Sequence, residues 1–239
     1  TELLETIFGL VPAISGQMQV GGDAFLPAAP NQAIAAGLAL VPEDRKNHGL
    51  LLAMSVAENL GLGRLVLQKF PGLLKSSEEK TLCDQMVTTL SIKTPSIDQP
   101  VQFLSGGNQQ KVVLGKWLAL QPRVLLLDEP TRGVDIGAKS EIYRIIDELA
   151  KRDIGIIVIS SELPEIVGVC DRVLVMREGR LVGEVVVRGG ELAHLRRPEG
   201  LVLLASDLVR VGSAAALEVE MLADGVVEQS HRRTAYSAL

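Results

Sequence analysis

Apolar positions along the chain fall into two textures. Val124–Leu127 is an unbroken apolar run that stops at Asp128, which predicts a strand buried on both faces. Leu38–Val41, closed by Pro42, and Ile154–Ile159 have the same character. Between them Ile142, Ile145, Ile146 and Leu149 recur at i, i+3, i+4, i+7, the stripe of an amphipathic helix. Leu3, Leu4, Ile7 and Phe8 share one helical face, so the chain opens inside a helix. The alternating stretch Gln17–Val20 before Gly21-Gly22 predicts a strand and a turn. Arg172–Met176 and Leu181–Val187 form a hairpin pattern around Glu178-Gly179. Asn31 is expected to cap a short helix through Ala36, and Ser160-Ser161 to open another.

From about 49 to 120 the pattern is helical. Ser55-x-x-Glu58 and Ser76-x-x-Glu79 have capping-box spacing, and Leu82, Met86, Val87 and Leu90 make a helical stripe. Pro71, Pro95 and Pro100 punctuate the region. Strand alternating with helix elsewhere predicts an α/β body, with a helical insertion at about 49–120 and a small antiparallel β element. Residues 188–239 differ: they contain no Lys, Ile or Asn, and every lysine precedes Arg152. The expected division is therefore 1–187 and an atypical tail, 188–239. The tail reads either as an extra small domain or, the expectation preferred here, as GC-rich DNA translated in a shifted frame and poorly ordered.

Composition narrows the class. Of 239 residues, 47% are hydrophobic and 22% charged, which excludes disorder across the whole chain. Lys+Arg of 24 against Asp+Glu of 29 gives a net charge of −5, which argues against a broad nucleic-acid surface. Two cysteines, Cys83 and Cys170, supply no disulfide framework and fit a reducing, cytosolic compartment. No apolar run approaches the ~20 residues of a membrane span, so work at a membrane would go through a partner.

Two segments carry chemistry. Leu104-Ser105-Gly106-Gly107-Asn108-Gln109-Gln110-Lys111 leads into a helix with Val112, Val113, Leu114, Trp117 and Leu118. Ser-Gly-Gly at a helix start aims bare N–H groups and a hydroxyl at an anion, at the positive end of the macrodipole. The plainer alternative is Ser105 as an ordinary N-cap. Some way on, Asp128-Glu129 closes a buried strand, at the edge of the sheet where α/β proteins bind ligands. Asp128 suits a magnesium ion through water, and Glu129 the polarisation of an attacking water. A solvated strand end is the alternative. Asp135, in Arg132-Gly133-Val134-Asp135, sits in a turn able to touch a neighbouring subunit. Glu43-Asp44-Arg45-Lys46 reads on composition as a charged loop, and His48, His194 and His231 as exposed loop or tail residues.

Together these segments resemble the ABC ATPases. Leu104–Gln109 resembles the signature, Val124–Glu129 the Walker B strand and Gly133-Val134-Asp135 the D-loop, over about residues 1–187. Val41-Pro42-Glu43-Asp44-Arg45-Lys46, Leu104-Ser105-Gly106-Gly107-Asn108-Gln109-Gln110-Lys111, Asp128-Glu129-Pro130-Thr131-Arg132-Gly133-Val134-Asp135 and Ser160-Ser161-Glu162-Leu163-Pro164-Glu165 look like the second ATPase half of bacterial monosaccharide importers of the ribose, galactose and xylose type. The resemblance implies an ABC-type P-loop NTPase core, ATP and Mg2+ as cofactors, and ATP hydrolysis coupled to sugar uptake. It implies a partner ATPase half, an integral membrane permease and, indirectly, an extracytoplasmic sugar-binding protein, with no nucleic acid. The place it implies is the cytoplasmic face of the bacterial plasma membrane. Ser105, Gly106, Gly107, Asn108 and Gln109 would face ATP held by the partner half. Asp128 would hold Mg2+ through water, Glu129 would be the Walker B acid of a degenerate site, and Asp135 the D-loop residue.

The departures bear on activity. No G-x-x-x-x-G-K-[ST] loop occurs, and the family's phosphate loop would fall just ahead of Thr1, so the chain is expected to start just past it. Glu43 stands at the Q-loop glutamine position and Ser161 at the switch-histidine position. The isolated chain is therefore expected to be weakly active or inactive. Two alternatives stand beside transport: a non-transport ABC ATPase, and a nucleotide-binding regulatory half without hydrolysis of its own.

Overall fold

The computed structural model describes residues 1–67, 76–177, 179–188, 191–196, 207–210 and 217–220. Helix α1 (Glu2–Phe8) buries Leu4, Ile7 and Phe8 and ends at Gly9, whose φ of 79° is the left-handed conformation a helix C-terminus favours. Strand β1 (Gln17–Val20) turns through Gly21-Gly22 into the two-residue β2 (Asp23–Ala24). Helix α2 (Pro30–Ala35) starts two residues earlier than the Asn31 cap predicts, with Ala29 at the N-cap position. Pro30 takes the first turn, where its missing N–H loses nothing, and the Gln32 side chain accepts from the Ala28 N–H at 2.9 Å. Asn31 lies within the helix and is not its cap.

Strand β3 (Leu38–Val41) is buried along its whole length, and a π-helical turn, Arg45–Gly49, follows it. Next come α3 (Val56–Leu67), α4 (Ser76–Thr89) and α5 (Gly106–Leu118), so the regular elements of this stretch are helical, apart from a 3-10 turn at Val101–Phe103. The capping box at Ser55 forms as its spacing predicts. The Glu58 N–H donates to Ser55 Oγ at 3.1 Å, and the Ser55 N–H to Glu58 Oε2 at 2.7 Å. The Ser76 side chain, which would make the second box, lies outside the described residues.

Strand β4 (Val124–Asp128) is buried throughout, and α6 (Ile136–Ala150) buries the four residues of its predicted stripe, Ile142, Ile145, Ile146 and Leu149. Strand β5 (Gly155–Ser160) leads to α7 (Leu163–Val169). That helix opens at Leu163 with Glu162 at the N-cap position, not at Ser160-Ser161. Ser160 is instead the last, fully buried residue of β5. Its hydroxyl donates to Glu165 and accepts from the Glu162 N–H at 3.0 Å, so it is occupied with the turn. Strands β6 (Arg172–Arg177) and β7 (Arg180–Arg188) pair antiparallel as the hairpin pattern predicts; Glu178 lies outside the described residues.

Beyond Arg188 the described residues are β8 (Glu191–Arg196), β9 (Asp207–Arg210) and β10 (Leu217–Glu220). A seven-stranded sheet runs in the order β3-β4-β5-β9-β6-β7-β8, and a three-stranded sheet in the order β10-β1-β2. β3, β4 and β5 are parallel, and β9 lies antiparallel between β5 and β6. The architecture is α/β, as the alternation of textures predicts.

Two apolar clusters flank the parallel strands. One packs Leu125, Leu127, Ile156 and Val158 against α3, α5 and α6; the other packs Leu126, Ile157 and Ile159 against α1, β1 and α2. Trp117 sits between them with its ring edge on Phe8, a core role rather than a stacking platform. Cys83 and Cys170 are buried free thiols. Among the described residues no helix is long and apolar enough to cross a membrane.

Candidate functional site

The sequence-predicted residues gather in two places. The first is the start of α5. Ser105 is its N-cap, and Ser105 Oγ accepts from the Asn108 side-chain amide at 3.0 Å and from the Asn108 N–H at 3.4 Å. Asn108 Oδ1 in turn accepts from the Lys93 N–H at 2.8 Å, which fixes the loop after α4 against the cap. Ser105 is exposed, while Gly107 is buried against α6. A Cβ on Gly107 would lie 2.4 Å from Ala138 Cβ, so only glycine allows the two helices this approach.

Asp135 caps α6, its Oδ1 accepting from the Ala138 N–H at 2.9 Å. The two helix starts thus lie side by side, around a cleft of about 240 Å³ lined by Lys93, Ser105, Gly107, Asn108, Asp135 and Glu141, among others. Glu141 bridges two lysines, Lys111 Nζ at 2.6 Å and Lys93 Nζ at 3.1 Å, and these hold its carboxyl below the usual carboxylate range. Lys111 is fully buried, its charge answered by Glu141 and by the Ser91 carbonyl at 2.9 Å. Gln109 does not reach the cleft. It is buried, and its amide donates to the Val101 carbonyl at 3.1 Å.

The second place is the end of β4. Asp128 is 3% exposed, and its Oδ1 is buried without a hydrogen-bond partner. Glu129 has a φ of 44°, a conformation unusual for a non-glycine residue and common at functional turns. Its N–H donates to the Ile159 carbonyl, and its Oε1 accepts from the Ser161 N–H at 2.7 Å. Ser161 itself is exposed, and it meets Glu129 through its backbone N–H, not its side chain. Glu43 pairs with Arg132 and accepts from the Thr1 hydroxyl at 3.4 Å. The Thr1 main-chain nitrogen lies 3.9 Å from Asp128 Oδ1. Thr1 is thus a member of this cluster that pattern reading did not single out.

An orphaned, buried carboxylate oxygen is what a cation held through water would satisfy, so Asp128 fits magnesium. Among the described residues no cluster of three or more His, Cys, Asp or Glu could cage a metal, so any ion here leans on Asp128 and on what its ligand brings. Behind the cluster, burial pushes the Glu165 carboxyl up, although the Ser160 hydroxyl donates to it. On the other side of α5, Lys116 Nζ donates to the Gly49 carbonyl at 2.6 Å, and burial pushes it down to about 8.

A family model described as ABC transporter matches residues 1–132. The ribose import ATP-binding protein RbsA of Burkholderia pseudomallei (strain K96243) is 50% identical over 215 residues, 90% of this chain and 41% of that protein. Its namesake in Geobacillus kaustophilus is 51% identical over 181 residues, 76% of this chain and 37% of that protein. The chain therefore spans about two fifths of the length of the relatives it matches. Among solved structures, an ATP-binding cassette of an ABC transporter in its ADP conformation superposes with a TM-score of 0.64 at 22% identity, covering 77% of this chain and 74% of that one. A nucleotide-free cassette superposes at 0.67 and 22%, covering 79% and 76%. At such identities these two share the fold.

Proposed function

The chain belongs to the ABC transporter family, and on that premise we propose that it is the second ATP-binding half of a ribose-type monosaccharide importer. In this reading it presents Ser105, Gly106 and Gly107 to the terminal phosphate of ATP held by a partner ATPase half. One observation carries the reading. The exposed cap of α5 and the Asp135 cap of α6 share one cleft, whose rim is a helix N-terminus with free donors.

The residues divide the work as follows. Ser105 and the first N–H groups of α5 receive the anion, and the positive end of the macrodipole favours its charge. Asn108 holds the Ser105 oxygen from behind, so the hydroxyl hydrogen is left to point outward. Gly107 against Ala138 fixes α5 on α6, so the Asp135 turn moves with the signature. Binding of the triphosphate draws the two halves together. Its hydrolysis removes the anion that the helix start was gripping, and the halves separate. A permease resting on the helical region would feel that cycle as inward and outward states.

The chain's own acids play a smaller part. Mg2+, where bound, would offset phosphate charge beside Asp128. Glu129 is held by the Ser161 N–H, and with Ser161 in place of histidine no imidazole stands ready to exchange a proton there. Glu43, at the glutamine position, is engaged with Arg132. These contacts support a second reading, a nucleotide-binding half that regulates without hydrolysing. Steady-state ATP hydrolysis by the chain alone, and again with an intact partner half, separates the two. The proposal expects almost none alone and robust turnover in the pair. Full activity alone would overturn the division of labour, and no gain on pairing would favour the regulatory reading.

A further inference from the structure

The charged segment after β3 does more than solvate a loop. Arg45 reaches 87 and 88 residues along the chain: its Nη1 donates to the Arg132 carbonyl at 2.7 Å and its Nη2 to the Gly133 carbonyl at 3.1 Å. Those carbonyls belong to the turn that delivers Asp135, and Gly133 holds that turn at a φ of 65°. The same guanidinium lies under the first residue of α5. A Cβ on Gly106 would sit 2.8 Å from Arg45 Nη2 and 3.2 Å from the Gly133 carbonyl oxygen. Arg45 Nε is buried without a partner, so the fork is turned to serve the two carbonyls at the expense of its third donor.

The loop is fastened at further points. Glu43 pairs with the Arg132 side chain, Asp44 caps the π-helical turn through the Lys46 and Asn47 N–H groups, and the Gly49 carbonyl accepts from Lys116 of α5. The segment 43–49 is thus joined to the 132–133 turn at one end and to α5 at the other.

We propose that Arg45 is a positioning residue that sets the turn before Asp135 and the first turn of α5 in one register. Ser105, Gly106 and Asp135 then meet the partner's nucleotide as a single rigid surface. This inference rests on the reading that the start of α5 faces a nucleotide in trans. A lysine at this position keeps the charge but is a point donor, unable to span two carbonyls in a plane.

The test is R45K in the chain paired with its intact partner half, with S105R as the control for the underlying reading. R45K is expected to lower kcat by about tenfold or more while the KM for ATP stays within about twofold, because the partner's phosphate loop sets the latter. Amide exchange at Gly106, Val134 and Asp135 is expected to rise together, with the melting temperature of R45K close to that of wild type. R45Q, whose single side-chain amide likewise cannot span the two carbonyls, provides the same readings should R45K fail to fold. Turnover of R45K within about twofold of wild type, or a rise in KM equal to the loss in kcat, overturns the inference. If S105R itself leaves turnover intact, the trans reading fails instead.

Discussion

The two clusters of site residues differ in where their hydrogen bonds go. At the start of α5 the hydrogen bonding is at the back: Asn108 holds Ser105, Glu141 holds Lys93 and Lys111, and Ser105 is left exposed at the front. At the end of β4 two of the three acids are engaged within the chain and the third is shut away from solvent. Glu129 is held by the Ser161 N–H, Glu43 by Arg132, and Asp128 is buried with an orphaned oxygen. A rim of supported, outward donors is preorganised for a ligand that arrives from elsewhere. Acids committed to neighbours must first let go before they can do chemistry. On the function proposed above, the chain would carry one half-site that is ready and one that is held back.

The largest expected effect lies on the ready side. Ser105→Arg should reduce ATP turnover of the paired halves by at least about a hundredfold, because it replaces a donor and blocks the rim. Asp128→Asn should lower it by about threefold or less, a contrast that steady-state kinetics reads directly. If the two losses were equal, the comparison would break.

The next effect is one of pH. Lys116 has a folded pKa of about 8, below its ordinary 10.5 because of burial. Between these values the unfolded chain binds more protons than the native one, so stability rises with pH across that window. Lys116→Met should abolish that rise, a difference of about 3 kcal/mol in urea unfolding between pH 8 and 10.5.

Gly107→Ala should follow. Its Cβ would fall against the Ala138 Cβ, and overpacking of that kind costs about 1–3 kcal/mol, visible as a lower melting temperature. It should also loosen the α5–α6 approach and so lower paired turnover.

The smallest effect belongs to Glu165, whose carboxyl burial pushes up. Here the native state binds more protons, so wild-type stability should fall as pH rises above 4.5 through the folded pKa. Glu165→Gln should remove that fall and stay within about 1 kcal/mol of wild type at pH 5. A large loss would mean that the ionised carboxylate is what holds Ser160.

Much of this arrangement is legible in the sequence, and the exceptions have a common cause. β3, β4 and the buried stripe of α6 follow from apolar periodicity because burial on both faces, or on one helical face, leaves no other pattern. Helix starts are less legible. Asn31 and Ser160 are good capping residues, yet Pro30 pre-sets the first turn of α2, and the Ser160 hydroxyl is taken by Glu165 at the buried end of β5. Gln109 belongs to the signature pattern by position, but it faces the Val101 carbonyl, a direction that motif spacing does not encode. Arg45 reads as a solvated charge because its partners lie far along the chain, where local pattern carries no information about them.

Amide chemical shifts of Gly106 and Gly107 test most directly whether this helix start grips an anion that another lobe carries. ATP added to the chain alone should leave both resonances in place, and ATP added together with an intact partner half should move them. Shifts produced by ATP without the partner, or none when partner and ATP are both present, would contradict the account.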